Sequence, residues 1–325
     1  GYLVGEENKG LAYMFTFMNF ARIGTGLQGL AHTELAFQKS LAYARDRLQM
    51  RSLSGPKNPG GPADPIIVHP DVRRMLLTQK AFAEGGRALI YFASTQGDIL
   101  TKSDNPEARE LANHVLNFLT PIIKAFLTET GFESANLGLQ CFGGHGYVNE
   151  WGLEQNVRDA RIGTLYEGTT GIQALDLLGR KVLGTRGKAL APVTGFILDF
   201  CKRSKDVKEI RPYLRKLVRL TKQWKALTRK IGFAAMRNRD AVGAASVDYI
   251  MFSGYVLLGV AWAASARAAY KRLEQGTTEE AFYRAKIQTA EFYFAKILPR
   301  TTALLETMST GPDSLMKMDE QQFMF

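Results

Sequence analysis

Two segments, LQCFGGHGY (139–147) and RDARIGTLYEGTTGIQ (158–173), interrupt a sequence that is otherwise helical in pattern. The first places three glycines within four positions directly after Phe142, and such a run ends a helix. The second contains Gly168-Thr169-Thr170, in which a threonine side chain can cap the helix that follows. On both sides of these segments, apolar residues recur at helical spacing. The two breaks therefore determine where the long helices end and where a new one begins.

Outward from these breaks, the sequence predicts helices and no alternation of strands with helices. Residues 54–65 contain four prolines and three glycines and are predicted to form a loop. Pro70 and Pro106 mark the predicted starts of two helices. We predict an all-α fold, a four-helix bundle over residues 1–185 followed by an accessory helical domain over 190–325. The predicted helices are 12–50, 70–98, 106–141 and 169–184 in the bundle, then 196–204, 207–238, 242–273 and 277–308 beyond it.

The composition is that of a globular protein: of 325 residues, 46% are hydrophobic and 22% charged, which excludes a disordered chain. Cys141 and Cys201 form no CxxC pair, so a disulfide-built secreted module is not indicated. Four scattered histidines do not indicate a zinc site or any other metal site. No signal peptide is visible at the start, and we expect a cytoplasmic protein, with membrane association left open.

Two stretches suggest alternative roles for the second half of the chain. Residues 249–266 carry no charge and reach the lower limit for a membrane span, but their Gly, Ser and Ala content favours a buried bundle helix. Residues 181–240 hold 17 basic and 4 acidic residues, while the rest of the chain is close to neutral. The simplest interpretation of the 202–239 region is a helix face exposed to solvent. The alternative is a surface for an anionic partner, a membrane or nucleic acid.

Two residue patterns could carry chemistry. The bare backbone around Gly143 and Gly144 could approach an anion such as a pyrophosphate, although glycine-rich turns are also common connectors. We interpret His145 within this turn as a turn residue. Glu167 lies just before a helix start, where an acid stabilises the helix dipole, yet in a dry pocket the same side chain could be a general base. The residues alone leave both interpretations open.

The two segments, in this order and spacing, resemble the C-terminal half of the FAD-dependent acyl-CoA dehydrogenases. NFARIGTGLQGLAHTELAFQKSLAYARDR (19–47) is similar to the first C-terminal helix of that family. The opening GYLVGEENKGL (1–11) is similar to the last strand of its middle β-domain. The resemblance covers about residues 1–185 and implies that the chain is the C-terminal portion of a longer polypeptide, because the helical and β-domains that precede it in the family are absent.

The resemblance implies α,β-dehydrogenation of an acyl-CoA thioester, in which a glutamate removes the α-proton and hydride passes to N5 of the flavin. By motif position that glutamate is Glu167, whose backbone N–H would also bind the thioester carbonyl. Tyr166, Gly168 and Arg22 would contact the substrate. The residues implied to contact FAD are Arg47, Gln140, Gly143, Gly144 and Thr169. Further implications are a homodimer or homotetramer, since family FAD sites are built across a subunit interface, and electron-transfer flavoprotein as the acceptor.

Some positions depart from the family pattern. Leu48-Gln49 replaces a common Phe-Gly pair, Gly171 replaces a common Gln, and Asn19 stands where many members carry Asp. The Pro-Gly-rich loop and the helices after 190 match a longer branch of the family, which includes very-long-chain-type enzymes and bacterial dehydrogenases acting on acyl-CoAs such as 3-methylmercaptopropionyl-CoA. Two alternatives remain: an acyl-CoA oxidase, and a non-catalytic binding module that uses the basic helix for peripheral membrane contact, with nucleic acid the less favoured partner.

Overall fold

The computed structural model describes residues 1–325, apart from the side chains of residues 12, 15 and 16. Within that description it is an all-α structure with one isolated antiparallel bridge, between Leu48 and Pro65, and no longer strand. The first part contains α1 (Gly10–Asp46), α2 (Pro70–Lys102), α3 (Pro106–Phe142), α4 (Gly144–Tyr147), α5 (Leu153–Ile162) and α6 (Thr170–Leu175, continued by a π-helical segment, Asp176–Leu183). The second part contains α7 (Leu190–Arg203), α8 (Arg211–Ala235), α9 (Asp240–Glu274), α10 (Glu280–Phe292, continued by a π-helical segment, Tyr293–Ile297), α11 (Arg300–Thr307) and α12 (Asp313–Met316).

The predicted helix starts at Pro70 and Pro106 are confirmed. Each proline occupies the first turn, where its missing N–H would have had no helical partner. The Asn105 side chain accepts hydrogen bonds from the backbone N–H groups of Glu107 and Ala108, at 2.9 and 3.2 Å. The Asn105 cap and Pro106 explain why α3 begins where the sequence predicts. Helix α2 has no side-chain cap, and its start is explained by Pro70 and by Asp71 in the first turn.

Pro121 lies inside α3 and leaves a carbonyl group without its usual helical donor. Because proline has no N–H, the carbonyl of Asn117, four residues earlier, is freed. Lys181, from the π-helical segment after α6, donates a 2.7 Å hydrogen bond to that carbonyl. A side chain 64 residues away in sequence therefore replaces the missing backbone bond.

Helices α1 and α3 cross at backbone contact. A Cβ atom added at Gly29 would lie 2.6 Å from the carbonyl carbon of Leu127 and 2.9 Å from Cα of Thr128. From the other side, a Cβ at Gly131 would lie 2.6 Å from the carbonyl oxygen of Gly29. Ordinary contacts of this kind are 3.4–4 Å, so only glycine fits at the crossing. The crossing fixes α1, which bears Arg22 and ends at the cap residue Arg47, against α3.

Helix α9 is the centre of the second part and packs directly on the first. Trp262 is buried and donates a 3.0 Å hydrogen bond from Nε1 to the carbonyl of Ala81 in α2. This helix is long and apolar enough to cross a membrane, but 78% of its most apolar window is buried inside the protein. The burial supports the bundle-helix interpretation of residues 249–266. One apolar core runs from Leu30 to Met308 across both parts, so the division at 185–190 stays a prediction from the sequence.

Two local expectations differ from the structure. The sequence predicts no helix between residues 141 and 169, but residues 153–162 form α5. The opening, residues 1–11, is similar to a strand in sequence, yet residues 1–9 form no strand and are exposed, and α1 begins at Gly10. A strand needs a neighbour to pair its backbone groups, and no segment that the structure describes pairs with these residues.

Candidate functional site

The predicted base, Glu167, lies in a tight turn between α5 and α6. The backbone N–H of Thr170 donates to the carbonyl of Thr164 at 3.2 Å and closes the turn. Thr169 caps α6, since its hydroxyl accepts a 3.3 Å hydrogen bond from the N–H of Ile172. Glu167 itself has φ +57°, a left-handed conformation that is uncommon for a residue with a side chain. Strained backbone of this kind clusters at functional sites and persists only where the surroundings impose it.

Two buried side chains hold this turn from the protein interior. Lys124 of α3 donates a 2.7 Å hydrogen bond from Nζ to the carbonyl of Gly168. Gln173 of α6 donates from Nε2 to the carbonyl of Glu167 at 2.9 Å. Both side chains are fully buried. At Gly168, whose φ is +89°, an added Cβ would lie 2.6 Å from the Gln173 amide nitrogen, so this turn requires glycine there.

The half-buried Glu167 carboxylate makes no hydrogen bond or salt bridge within the part of the chain that the structure describes. Tyr166, next to it, is about one-third exposed (36%) and its hydroxyl donates to Gln28 of α1. The Glu167 side chain is therefore available to an incoming molecule, while its backbone is fixed.

Charged groups are concentrated beneath the turn. Burial lowers the pKa of Lys124 to about 8; Glu129 and Glu167 nearby oppose this shift, whereas Arg22 reinforces it. Glu129 accepts a 2.5 Å hydrogen bond from the Thr170 hydroxyl. Arg22 is buried and pairs with Asp176 at 3.2 Å, an ion pair inside the bundle. The structure thus places Arg22 beneath the turn, and its predicted contact with substrate stays a prediction.

A separate cavity of about 550 Å³ collects four of the predicted FAD contacts, Arg47, Gln140, Gly143 and Gly144. It lies where the end of α1 meets the end of α3. Thr169, the fifth predicted contact, does not line this cavity and belongs to the Glu167 turn. Arg47 and Gln140 are exposed. The predicted residues therefore form two groups, one around Glu167 and one around Arg47.

The glycines of the cavity have no packing neighbour that would exclude a side chain. A Cβ added at Gly143 or Gly144 would meet nothing within 4 Å. Gly143 has φ +59°, so it also serves the end of α3, but Gly144 has no such constraint. Bare backbone beside the Arg47 guanidinium is an arrangement that suits an anion such as a phosphate.

Aromatic rings support the wall of the cavity. Tyr43 stacks on Phe142 with ring centroids 4.0 Å apart, and His145 stacks on Trp151 at 5.3 Å. A 2.9 Å hydrogen bond joins the Tyr43 hydroxyl to Nδ1 of His145. His145 is thus engaged in the packing of the turn, in line with its interpretation as a turn residue.

Sequence reasoning did not identify Lys124 or Gln173. Lys124 is the only charged residue in the apolar stretch FLTPIIKAFLT (118–128). A single charge in a buried helical stretch indicates a specific partner, so the sequence could have pointed to Lys124. Gln173 lies in the motif that was recognised, but nothing in its spacing indicates that its amide turns back to the Glu167 carbonyl.

Comparison with protein families gives two matches. The family model described as acyl-CoA dehydrogenase, C-terminal domain, matches residues 8–183. A second, described as acetyl-CoA dehydrogenase C-terminal like, matches residues 193–319. The two matches together cover nearly the whole chain and confirm the resemblance stated from the motifs.

Individual relatives agree with the family matches. The chain is 40% identical to 3-methylmercaptopropionyl-CoA dehydrogenase of Ruegeria pomeroyi, over 97% of this chain and 53% of that protein. It is 34% identical to the broad-specificity linear acyl-CoA dehydrogenase FadE5 of Mycobacterium tuberculosis, over 99% of this chain and 54% of that protein. The chain thus spans about half the length of the curated relatives it matches.

Solved structures share the fold. An acyl-CoA dehydrogenase of Bacillus anthracis, complexed with FAD, superposes with a TM-score of 0.72 at 18% identity, over 94% of this chain and 51% of that one. ACDH-11 of Caenorhabditis elegans, in complex with C11-CoA, gives a TM-score of 0.70 at 18% identity, over 90% of this chain and 45% of that one. At this identity the likeness shows the fold.

Proposed function

Because the chain belongs to the acyl-CoA dehydrogenase family, we propose that it forms the C-terminal helical part of an FAD-dependent enzyme that removes the α- and β-hydrogens of an acyl-CoA thioester. The family match over residues 8–183 supports the reaction class. The 40% identity with a 3-methylmercaptopropionyl-CoA dehydrogenase supports a CoA thioester as substrate.

The observation that carries the proposal is the Glu167 turn. Its backbone is held in a left-handed conformation by two buried donors, while its carboxylate has no partner among the described residues. A general base needs this combination of a fixed position and a free carboxylate. In the proposed reaction, Glu167 takes the α-proton and its backbone N–H donates to the thioester carbonyl, where negative charge develops. Tyr166 lines the acyl-chain side.

The residues around Arg47 fit the phosphates of FAD. The guanidinium supplies a positive charge, and Gly143 and Gly144 leave open space for the cofactor to approach the backbone. We propose that Arg47, Gln140, Gly143 and Gly144 hold the FAD phosphates and that Thr169 contacts FAD beside Glu167. Bound FAD supplies the acceptor for the β-hydrogen.

The proposal is tested by substituting Glu167→Gln in the full polypeptide as its gene encodes it. Glutamine keeps the size of the side chain and removes its basicity, so bleaching of the flavin by acyl-CoA should fall by at least about 100-fold while FAD content stays normal. Glu150→Gln, an exposed acid after the glycine turn, is the matched control and should behave as wild type. Near-normal bleaching by Glu167→Gln would contradict the assignment.

The partners follow as further proposals. We propose electron-transfer flavoprotein as the electron acceptor and a homodimer or homotetramer as the assembly. We also propose a cytoplasmic location, because the two cysteines are unpaired. An acyl-CoA oxidase would instead reduce oxygen. Reoxidation of the reduced enzyme by oxygen and by electron-transfer flavoprotein, measured side by side, separates the two.

The exposed face of α8 favours a second role, binding to an anionic lipid surface. No acidic residue occurs between residues 211 and 239. Four cations occur at helical spacing on this face, are exposed and form no ion pair within the described part of the chain: Arg215, Arg219, Lys222 and Arg229. Phe233 and Met236 continue the face and are 70% and 81% exposed. Basic residues followed by exposed apolar ones are typical of a helix that lies on a membrane surface.

Vesicle sedimentation tests this role. Vesicles containing phosphatidylglycerol should bind the protein at low salt, and binding should weaken as salt rises. Changing the four cations to glutamine should abolish binding, and Phe233→Ser with Met236→Ser should weaken it. Absence of vesicle binding at low salt contradicts the role. If duplex DNA binds instead and the two serine substitutions have no effect, the partner is nucleic acid.

A further inference from the structure

Lys124 is a charged residue in an unusual place. Its side chain is fully buried in the middle of α3, between Ile123 and Ala125, which are also fully buried. Burying an ammonium group is costly unless it is paired, and a methionine would fill the same volume at lower cost. The fold alone gives no reason for a lysine at this position.

The contacts of Lys124 point to the Glu167 turn. Its one hydrogen bond goes to the carbonyl of Gly168 at 2.7 Å, and no carboxylate lies within salt-bridge distance among the described residues. A carbonyl in a half-buried turn could also be satisfied by water. A buried cation bound to it instead imposes one orientation on the peptide group.

We propose that Lys124 is a positioning residue, whose ammonium group holds the Gly168 carbonyl and thereby sets the direction of the Glu167 carboxylate and backbone N–H. The inference rests on the proposed function, because it assigns Lys124 to the site in which Glu167 acts. Gln173 also fixes the turn, because its side-chain amide donates a hydrogen bond to the neighbouring Glu167 carbonyl.

The charge of Lys124 contributes as well as its hydrogen bond. The ionisable groups that face it are Glu129 of α3, Arg22 of α1 and Glu167 of the turn. The attraction between its ammonium group and the nearby Glu167 adds to the hydrogen bond in holding the turn.

Lys181 provides a matched control. It also donates a 2.7 Å hydrogen bond from a partly buried ammonium group to a backbone carbonyl, that of Asn117, which lies away from the turn. Burial also lowers the pKa of Lys181. Substituting either lysine by methionine leaves one carbonyl without its donor, so the two changes carry similar structural costs.

The test compares Lys124→Met with Lys181→Met in the full polypeptide with FAD bound. The first readout is hydrogen–deuterium exchange of the amides of residues 165–170, without substrate. The second is the exchange of the substrate α-hydrogen with solvent. Lys124→Met should speed amide exchange in the turn and slow α-hydrogen exchange by about 100-fold, the usual effect of a misplacement near 1 Å. Lys181→Met should leave both unchanged.

The inference is overturned if Lys124→Met keeps α-hydrogen exchange within threefold of wild type and leaves the turn amides unchanged. If Lys124→Met does not fold, Lys124→Gln, which keeps a neutral donor, takes its place with a smaller expected loss. Failure of both to fold, while Lys181→Met folds, would make Lys124 a stability residue and also overturn the inference. Normal activity of Glu167→Gln would instead refute the proposed function, so the two failures are distinguishable.

Discussion

The crossing of α1 and α3 predicts that alanine at Gly29 is destabilising, although alanine is the better helix former. An added Cβ would lie 2.6 Å from the carbonyl carbon of Leu127 and 2.9 Å from Cα of Thr128, against an ordinary contact of 3.4–4 Å. The helices would have to separate by at least about 0.8 Å to clear the carbonyl carbon, and by more to clear the Leu127 carbonyl oxygen, which lies nearer still. Because the opposing atoms are backbone, no side-chain rotation relieves the clash.

The magnitude follows from two opposing contributions. Overpacking in a core costs typically 1–3 kcal/mol, and a clash with backbone belongs near 3 kcal/mol. Replacing glycine by alanine inside a helix stabilises the helix by about 1 kcal/mol. The free energy of unfolding of Gly29→Ala should therefore fall by about 2 kcal/mol.

Gly24, in the same helix, is the matched control. It is exposed, and a Cβ there would meet nothing within 4 Å. Gly24→Ala should raise the free energy of unfolding by about 0.5–1 kcal/mol through helix propensity alone. Urea unfolding followed by circular dichroism, with both variants measured beside wild type, gives the comparison. If Gly29→Ala is as stable as Gly24→Ala, the backbone contact between α1 and α3 is refuted.

Further predictions concern the loop, the thiols and the turn. Burial opposes ionisation of the Asp64 carboxyl group, but three backbone N–H donors and an arginine outweigh burial and lower the pKa of Asp64 to about 2. The ionised Asp64 therefore stabilises the fold above about pH 4, and this stabilisation is lost as the pH falls toward 2. Thermal unfolding of Asp64→Asn should show its largest deficit near neutral pH, and a deficit that persists unchanged at pH 2 would speak against this. Burial raises the pKa of both Cys141 and Cys201 to about 11, so neither thiol should react with a disulfide reagent at pH 8 until the protein is unfolded, and rapid labelling of the native protein would contradict their burial. Gly168→Ala should displace the Gln173 amide and lower both the activity and the melting temperature; wild-type values of both would show that the turn tolerates a side chain.

The helices could be predicted from the sequence where their boundaries carry their own signals. Pro70 and Pro106 start α2 and α3, and Thr169 caps the helix after the Glu167 turn, as predicted. Helix α5 was missed because it is only ten residues long and mostly polar, and it buries few apolar side chains, mainly Leu153 and Ala160.

The candidate site could be predicted only in part. Motif position brought out Glu167 and, separately, the residues around Arg47; the structure gathers only the second group into one cavity. The support for the turn, from Lys124 and Gln173, depends on which helix faces pack together. That packing brings residues 44 positions apart into contact, and no local spacing encodes it. The same reason explains why the ion pair of Arg22 with Asp176 was not foreseen.

The proline inside α3 has an evolutionary consequence. Pro121 and Lys181 form one structural unit, since the lysine binds the carbonyl that the proline leaves without its helical donor. A lineage that replaced Pro121 by a residue with an N–H would restore the backbone bond and release Lys181 from selection. A lineage that lost Lys181 first would carry an unsatisfied carbonyl until the proline changed. Positions 121 and 181 should therefore covary among homologues, with the proline the first of the two to be replaced.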